Sequence, residues 1–237
     1  MLPSELLIRA RRRLRDLAGS VADRHWSDIE LLEEYANAAR DKMFLAVKHL
    51  IIDSTTATDL TAPTPLPLCS LAVLANTATY AMSPKIIEVT SITLSGQYHS
   101  LEKMTVEEMD AAIPGWRNAG AGQPVIWIPD LNTDSITLYP PPAAPCTASL
   151  TVRRFPLKRL TLATAATSCL DFREEYHEYL VYGILAEAFG KNDLEVKRPD
   201  LSVLYEGKFN DKIESVKEDL SRRNRTNHGN RVRRAFR

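Results

Sequence analysis

The stretch from Tyr179 to Phe189 constrains this chain more than any other. Glu187 is its only charged residue, and Leu180, Val181, Ile184, Leu185 and Phe189 recur too densely for one side to stay polar. The pattern predicts a helix from about Phe172 to Phe189, with Gly190 as its stop. A helix that is apolar almost all round has to be covered on most of its sides. The fold must therefore gather several other elements around this one.

Three further helices are available for that. The first is expected from Ser4 to about Ala18, with Leu7, Ala10, Leu14 and Leu17 as its apolar stripe and Gly19 as its stop. Arg9, Arg11, Arg12, Arg13 and Arg15 lie mostly off that stripe and read as a solvated face, which in an oligomer can also meet a neighbouring subunit. The second helix begins at a capping box, Ser27-Asp-Ile-Glu30, with Trp26 placed just ahead of it as a staple. Ile29, Leu32, Ala36, Ala39, Met43, Val47 and Leu50 then recur every three or four residues. The last helix follows Pro199-Asp200, with Leu201, Tyr205, Phe209, Val216 and Leu220 along one face.

The middle of the chain reads as strands. Thr55–Thr61 is partly β-prone, and Pro63, Pro65 and Pro67 exclude a helix or a central strand beside it. Leu71–Leu74 and Lys85–Leu94 are strands, and Thr105-Val-Glu-Glu108 is a second capping box opening a short helix that Pro114-Gly115 ends. From Trp116 onward a β-meander is expected: Val125-Ile-Trp-Ile128, a polar turn from Pro129 to Asp134, Ser135–Tyr139, a corner at Pro140–Pro142, and Ser149–Val152. Leu157–Ser168 reads as a loop or edge strand. Helices at both ends with strands between them point to an α+β fold, a helical bundle built by both termini with an inserted antiparallel β-domain. The expected boundaries are 1–52 and 169–220 for the bundle, 53–168 for the β-domain and 221–237 for a basic C-terminal arm.

No catalytic grouping emerges from these elements. The chain has no GxSxG elbow and no HExxH, and its 9 glycines in 237 residues leave little room for a phosphate-binding loop. His25, His49, His99, His177 and His228 are dispersed; His177 reads as a polar residue at an exposed helix start rather than a general base. The pairs Glu33/Glu34, Glu107/Glu108 and Glu174/Glu175 sit near helix starts, where the helix dipole already explains them, and Asp193 and Asp200 read as loop or cap residues. Cys69, Cys146 and Cys169 form no CxxC pair, so thiols rather than a zinc site are expected. No enzyme activity, cofactor or metal is expected. No apolar run approaches the ~20 residues that cross a bilayer, and the early arginines argue against a signal peptide, so an intracellular protein without a membrane partner is expected.

Charge, by contrast, is segregated. Ser221–Arg237 holds seven arginines and no acid in a chain of net charge zero, so the rest carries a formal −7. Arg222, Arg223, Arg225, Arg231, Arg233, Arg234 and Arg237, with Val232 and Phe236 as apolar anchors, read as a flexible arm that docks on an acidic protein groove or on nucleic-acid phosphates. Charge alone does not separate those two partners.

Several motifs, taken in order, resemble the head-to-tail adaptor (connector) proteins of tailed bacteriophages, the short-tailed type in particular. They are Trp26-Ser-Asp-Ile-Glu-Leu-Leu, Tyr80-Ala-Met-Ser-Pro-Lys-Ile-Ile-Glu-Val, Gly122-Gln-Pro-Val-Ile-Trp, Ile136-Thr-Leu-Tyr-Pro-Pro-Pro and Phe172-Arg-Glu-Glu-Tyr-His-Glu-Tyr-Leu-Val-Tyr-Gly183. The resemblance spans residues 4 to 220 and departs from many relatives at Pro63–Pro67. It implies a structural virion protein at the head–tail junction, made in the host cytoplasm. It further implies a homo-oligomeric ring, commonly of twelve copies, that joins the portal to a tail or nozzle protein and extends the channel for double-stranded DNA. Under the resemblance the arm would embed each subunit in the portal. The rival expectation is a DNA-binding or DNA-packaging accessory protein that holds phosphates with the arginine-rich tail.

Overall fold

The structure, a computed structural model, describes residues 1–16, 25–48, 50–61, 64–129, 134–167, 169–191 and 198–232, of which 224–232 by backbone alone. It is a mixed α+β fold in two compact units. One joins Met1–Leu50 to Lys158–Arg237, and the other is Ile51–Leu157.

In the helical unit, α1 (Pro3–Leu14), α2 (a π-helical stretch Glu30–Ala36 continued as α-helix Asn37–Ala46), α4 (Tyr179–Gly190) and α5 (Pro199–Val232) surround one apolar axis. That axis is α4, whose Leu180, Val181, Gly183, Ile184, Leu185, Ala188 and Phe189 are all buried. α1 buries Pro3, Leu6, Ala10 and Leu14, a stripe that takes Leu6 where Leu7 was expected. The helix also ends earlier than the sequence predicts, because Arg15 turns to the left-handed conformation (φ 58°). Leu17 and Gly19 lie outside the described residues.

The Ser27–Glu30 box forms as read: the Ser27 N–H donates to Glu30 Oε2 (2.8 Å) and the Glu30 N–H to Ser27 Oγ (3.1 Å). Trp26 is buried and spans to α4, where its indole N–H donates to the Ala188 carbonyl (3.1 Å) and its ring meets Phe189 edge-on. Beyond the box the expected stripe is corrected. A π-helix advances fewer degrees per residue than an α-helix, so Leu31 and Leu32 both face inward while Ile29 is left 53 % exposed. α2 ends at Ala46, short of Leu50.

The buried Asn37 amide accompanies this stretch. Its Nδ2 donates to the carbonyls of Glu33 (2.8 Å) and Leu160 (2.9 Å), and its Oδ1 accepts from the Leu160 N–H (3.0 Å) and from Arg40 (2.8 Å). Arg40 in turn donates to the Lys158 carbonyl (3.1 Å). The returning chain at 158–160 is thus held by side chains instead of a strand, and 162–164 forms a short 3-10 turn.

In the other unit, β10 (Cys146–Arg154) is the centre of one sheet. It pairs antiparallel with β6 (Ile86–Leu94) on one edge and with β4 (Ser70–Val73) and β1 (Ile52–Asp53) in succession on the other. A second sheet has the order β5 (Thr79–Ala81), β9 (Ser135–Tyr139), β8 (Ile126–Pro129), β7 (Glu102–Lys103), antiparallel except for β7 and β8. A small hairpin pairs β2 (Thr58–Asp59) with β3 (Leu66–Pro67), which keeps Pro65 and Pro67 out of both main sheets; Pro63 lies outside the described residues. Both sheets bury one shared core, with Ala148, Leu150 and Val152 from one and Trp127, Ile136 and Leu138 from the other. α3 (Val106–Ala112), opened by the Thr105–Glu108 box, covers the far side of β8 through Met109 against Ile126 and Ile128. Burial on both faces explains the unbroken apolar run of β8.

The expected meander is corrected here. β8 and β9 are neighbours, but β10 leaves them for the other sheet. Pro140, Pro141 and Pro142 lack the N–H groups that would continue the ladder, and the Pro141 and Pro142 carbonyls accept from Gly122 (2.7 Å) and Asn76 (2.7 Å) instead.

Candidate interaction surfaces

His177 and at least one carboxylate of each candidate pair are spent on structure. The helix expected from Phe172 begins at Tyr179, after a 3-10 turn at Glu174–Tyr176 that folds His177 inward. His177 is therefore buried, contrary to its expected exposure. Its Nε2 lies 2.7 Å from the Phe172 carbonyl, its ring stands edge-on to Phe172, and Nδ1 has no hydrogen-bond partner. Burial pushes its pKa down from the ordinary value near 6.5, which favours the neutral imidazole.

At least one carboxylate of each pair is likewise engaged. Glu33 accepts from the Leu162 N–H (2.8 Å), Glu108 closes the α3 cap, and Glu175 pairs with Arg223 (2.9 Å). Cys69 is buried, its thiol pKa raised to about 11 by burial; Cys146 is half-buried and Cys169 exposed. Asp200 stands in the first turn of α5, and Asp193 lies outside the described residues. Among the described residues no group of three or more His, Cys, Asp or Glu could hold a metal ion, and no helix is long and apolar enough to cross a membrane.

The N-terminal arginines divide into three sets, which corrects their reading as one solvated face. Arg11 is buried, donating to Asp16 (2.7 Å), to Asp28 and to the Trp26 carbonyl (2.9 Å), so it ties the end of α1 to the start of α2. Arg13 pairs with Glu178 (3.0 Å) and lies over the Tyr182 ring, and Arg9 approaches the same carboxylate at 3.6 Å. Arg12 and Arg15 face outward.

At the other end, α5 does not give way to a flexible arm at Ser221: its backbone stays helical to Val232. Among its described side chains, Phe209, Ile213 and Val216 are buried. Of the expected docking residues, Arg222 meets Glu218 (3.7 Å), and Arg223 meets Asp219 and Glu175, both at 2.9 Å. The Tyr176 hydroxyl donates to the same Asp219, and burial together with that carboxylate pushes the Tyr176 pKa up to about 12. Arg225, Arg231 and Val232 lie on the helical backbone, and Arg233, Arg234, Phe236 and Arg237 fall outside the described residues.

Exposed apolar side chains mark the remaining surface. The helical unit presents Ile8 (48 % exposed), Leu45, Val203 (70 %) and Leu204 (49 %). The β unit presents Val125 and a fully exposed Tyr98, the latter two residues beyond Gly96, whose φ is +83°. In the same unit a cleft of about 250 Å³ is lined by 94–97, 122–124 and 142–146. None of these was singled out from the sequence. A glycine inside a helical pattern, Gly207, is the signal that could have drawn attention to the Val203 side.

The model of the SU10 adaptor protein family matches residues 1–234, so this chain belongs to that family. It is therefore a structural adaptor of a bacteriophage and a component of the virion, and membership implies association with portal and tail proteins. Among curated proteins no match was found.

Proposed function

We propose, from this family membership, that the protein acts without catalysis as a ring at the head–tail junction, commonly of twelve copies, that joins the portal to the tail and extends the DNA channel. The observation that carries this reading is α5. It has 34 residues where α4 has 12, its described side chains are buried only at Phe209, Ile213 and Val216, and its last turns carry the arginines of the basic segment. A helix that outruns its bundle and ends in guanidinium forks is suited to seat on carboxylates of a partner protein. Arg222, Arg223, Arg225, Arg231, Arg233, Arg234 and Arg237 supply the forks, and Val232 and Phe236 the apolar anchors. A body of formal charge −7 repels DNA phosphates, which suits a passage through which DNA slides.

The test is truncation after Leu220, followed by electron microscopy of the protein with and without portal. The truncated chain should keep its fold and lose portal attachment. Attachment retained at full strength would refute the docking role. If the full-length chain instead binds DNA with a steep salt dependence that the truncation abolishes, the arginines serve phosphates and the DNA-binding reading replaces this one.

A further inference from the structure

We propose that two outward faces of the helical unit are the two halves of one contact between copies of this chain: the α1 face with Ile8, Arg12 and Arg15, and the α5 face with Val203, Gly207 and Asp211. The inference rests on the ring reading above and says which surfaces close the ring.

Within one chain these faces do not meet, because each points away from α4. α1 engages α4 through Arg9 and Arg13 on Glu178, and α5 engages it through Ser202 on the Ala186 carbonyl and Phe209 beside Gly183. What is left outward on α1 is basic around an exposed isoleucine. What is left outward on α5 includes an exposed valine, a glycine one turn on and an aspartate one turn further, with Leu204 and Glu214 exposed beside them.

Gly207 is the independent observation. A glycine in the interior of a helix costs stability relative to alanine, and here, among the described residues, no atom comes within 4 Å of where its Cβ would be. Packing inside the chain does not explain it, whereas a neighbouring helix that approaches the α5 backbone does. The occupant is argued from charge: Arg12 and Arg15 are exposed cations on this same chain, and Asp211 is an exposed anion on the other face. A contact between two different faces of identical subunits is heterologous and generates a ring when its rotation closes. Ile8 and Val203 provide the apolar centre of such a contact, with the charges fixing its register.

The experiment uses the full chain, with its mass measured by native mass spectrometry and by light scattering, alone and on portal. Arg12→Glu and Asp211→Arg should each weaken subunit association by about tenfold or more, since like charges are brought together. Arg12→Glu combined with Asp211→Arg should recover most of the loss. Both positions are exposed, so unchanged circular dichroism will show that each variant folds. A second readout places Ile8→Cys and Val203→Cys together in a Cys169→Ser background, and oxidation should give a ladder of covalently joined copies. Rings that survive both reversals, or reversals that weaken association without mutual rescue and without a ladder, overturn the assignment of these faces. A wild-type chain that stays monomeric both alone and on portal overturns the ring reading itself.

Discussion

Replacing Gly183 by alanine probes the most crowded point of the helical unit. The added Cβ would stand 2.5 Å from the Cβ of Ala39 and 3.1 and 3.2 Å from two ring carbons of Phe209. Ordinary carbon–carbon contact begins near ~3.5 Å, so α2 must withdraw from α4 by about 1 Å. Ala39 has no flexible end that could swing aside, and the strain falls on helix backbone. Overpacking of this kind costs about 1–3 kcal/mol, and alanine regains ~1 kcal/mol over glycine by helix propensity. With so short a contact, the upper part of the first range applies, and the net loss should be ~2 kcal/mol. For a chain of this size that lowers the thermal midpoint of the helical unit by about 4–8 °C. Thermal unfolding followed by far-UV circular dichroism reads the shift. The cause is isolated by a double-mutant cycle with Ala39→Gly, which removes the opposing methyl. Ala39→Gly should destabilise by itself, and the two together should cost less than their sum. An unchanged or raised midpoint for Gly183→Ala, or strict additivity in the cycle, would refute the close-packing argument.

Two further outcomes are expected. Asn37→Ala leaves the Leu160 N–H and carbonyl and an Arg40 donor without partners in a buried setting, which should cost roughly 2–4 kcal/mol in urea unfolding; a loss below about 1 kcal/mol would mean that water replaces the amide. The Asp53 carboxyl has its pKa raised by burial, but hydrogen bonds from Thr56, Thr55 and Arg154 outweigh that and hold it well below the usual 3.8. A depressed folded value gives stability that is full above the unfolded pKa and is lost as pH falls below it. Wild type should therefore lose stability in acid from about pH 4 downward more steeply than Asp53→Asn, and parallel pH profiles for the two would count against the assignment.

The difference between what could be read and what could not lies in how far each interaction reaches. Thr105 and Glu108 meet through a three-residue offset, as do Ser27 and Glu30, so both caps are visible in the chain itself. The extended run Ile86–Leu94 and the apolar α4 follow from side-chain period in the same way. The basic segment at Ser221–Arg237 was legible as charge, yet not as helix, because its arginines carry no period that distinguishes α5 continued from a loose arm. His177 was misplaced because one 3-10 turn redirected it, and Arg11 because its partners Asp16 and Asp28 lie across a turn from it. The outward pair of faces around Arg12 and Gly207 was not legible at all, since exposure is decided by which neighbours arrive.

By itself, then, the sequence determined the order of helices and strands, the capped starts, the two-ended bundle with its inserted β unit, and the segregation of charge, since hydrogen bonds within a turn and the side-chain period act over a few residues. Only the tertiary structure decided that β10 joins β6, β4 and β1 instead of β9, that the π-helical stretch of α2 turns Leu31 inward, that Gly183 sits against Ala39 and Phe209, and that α5 runs on to Val232. Each of those depends on shape and on hydrogen-bond partners brought together from distant parts of the chain.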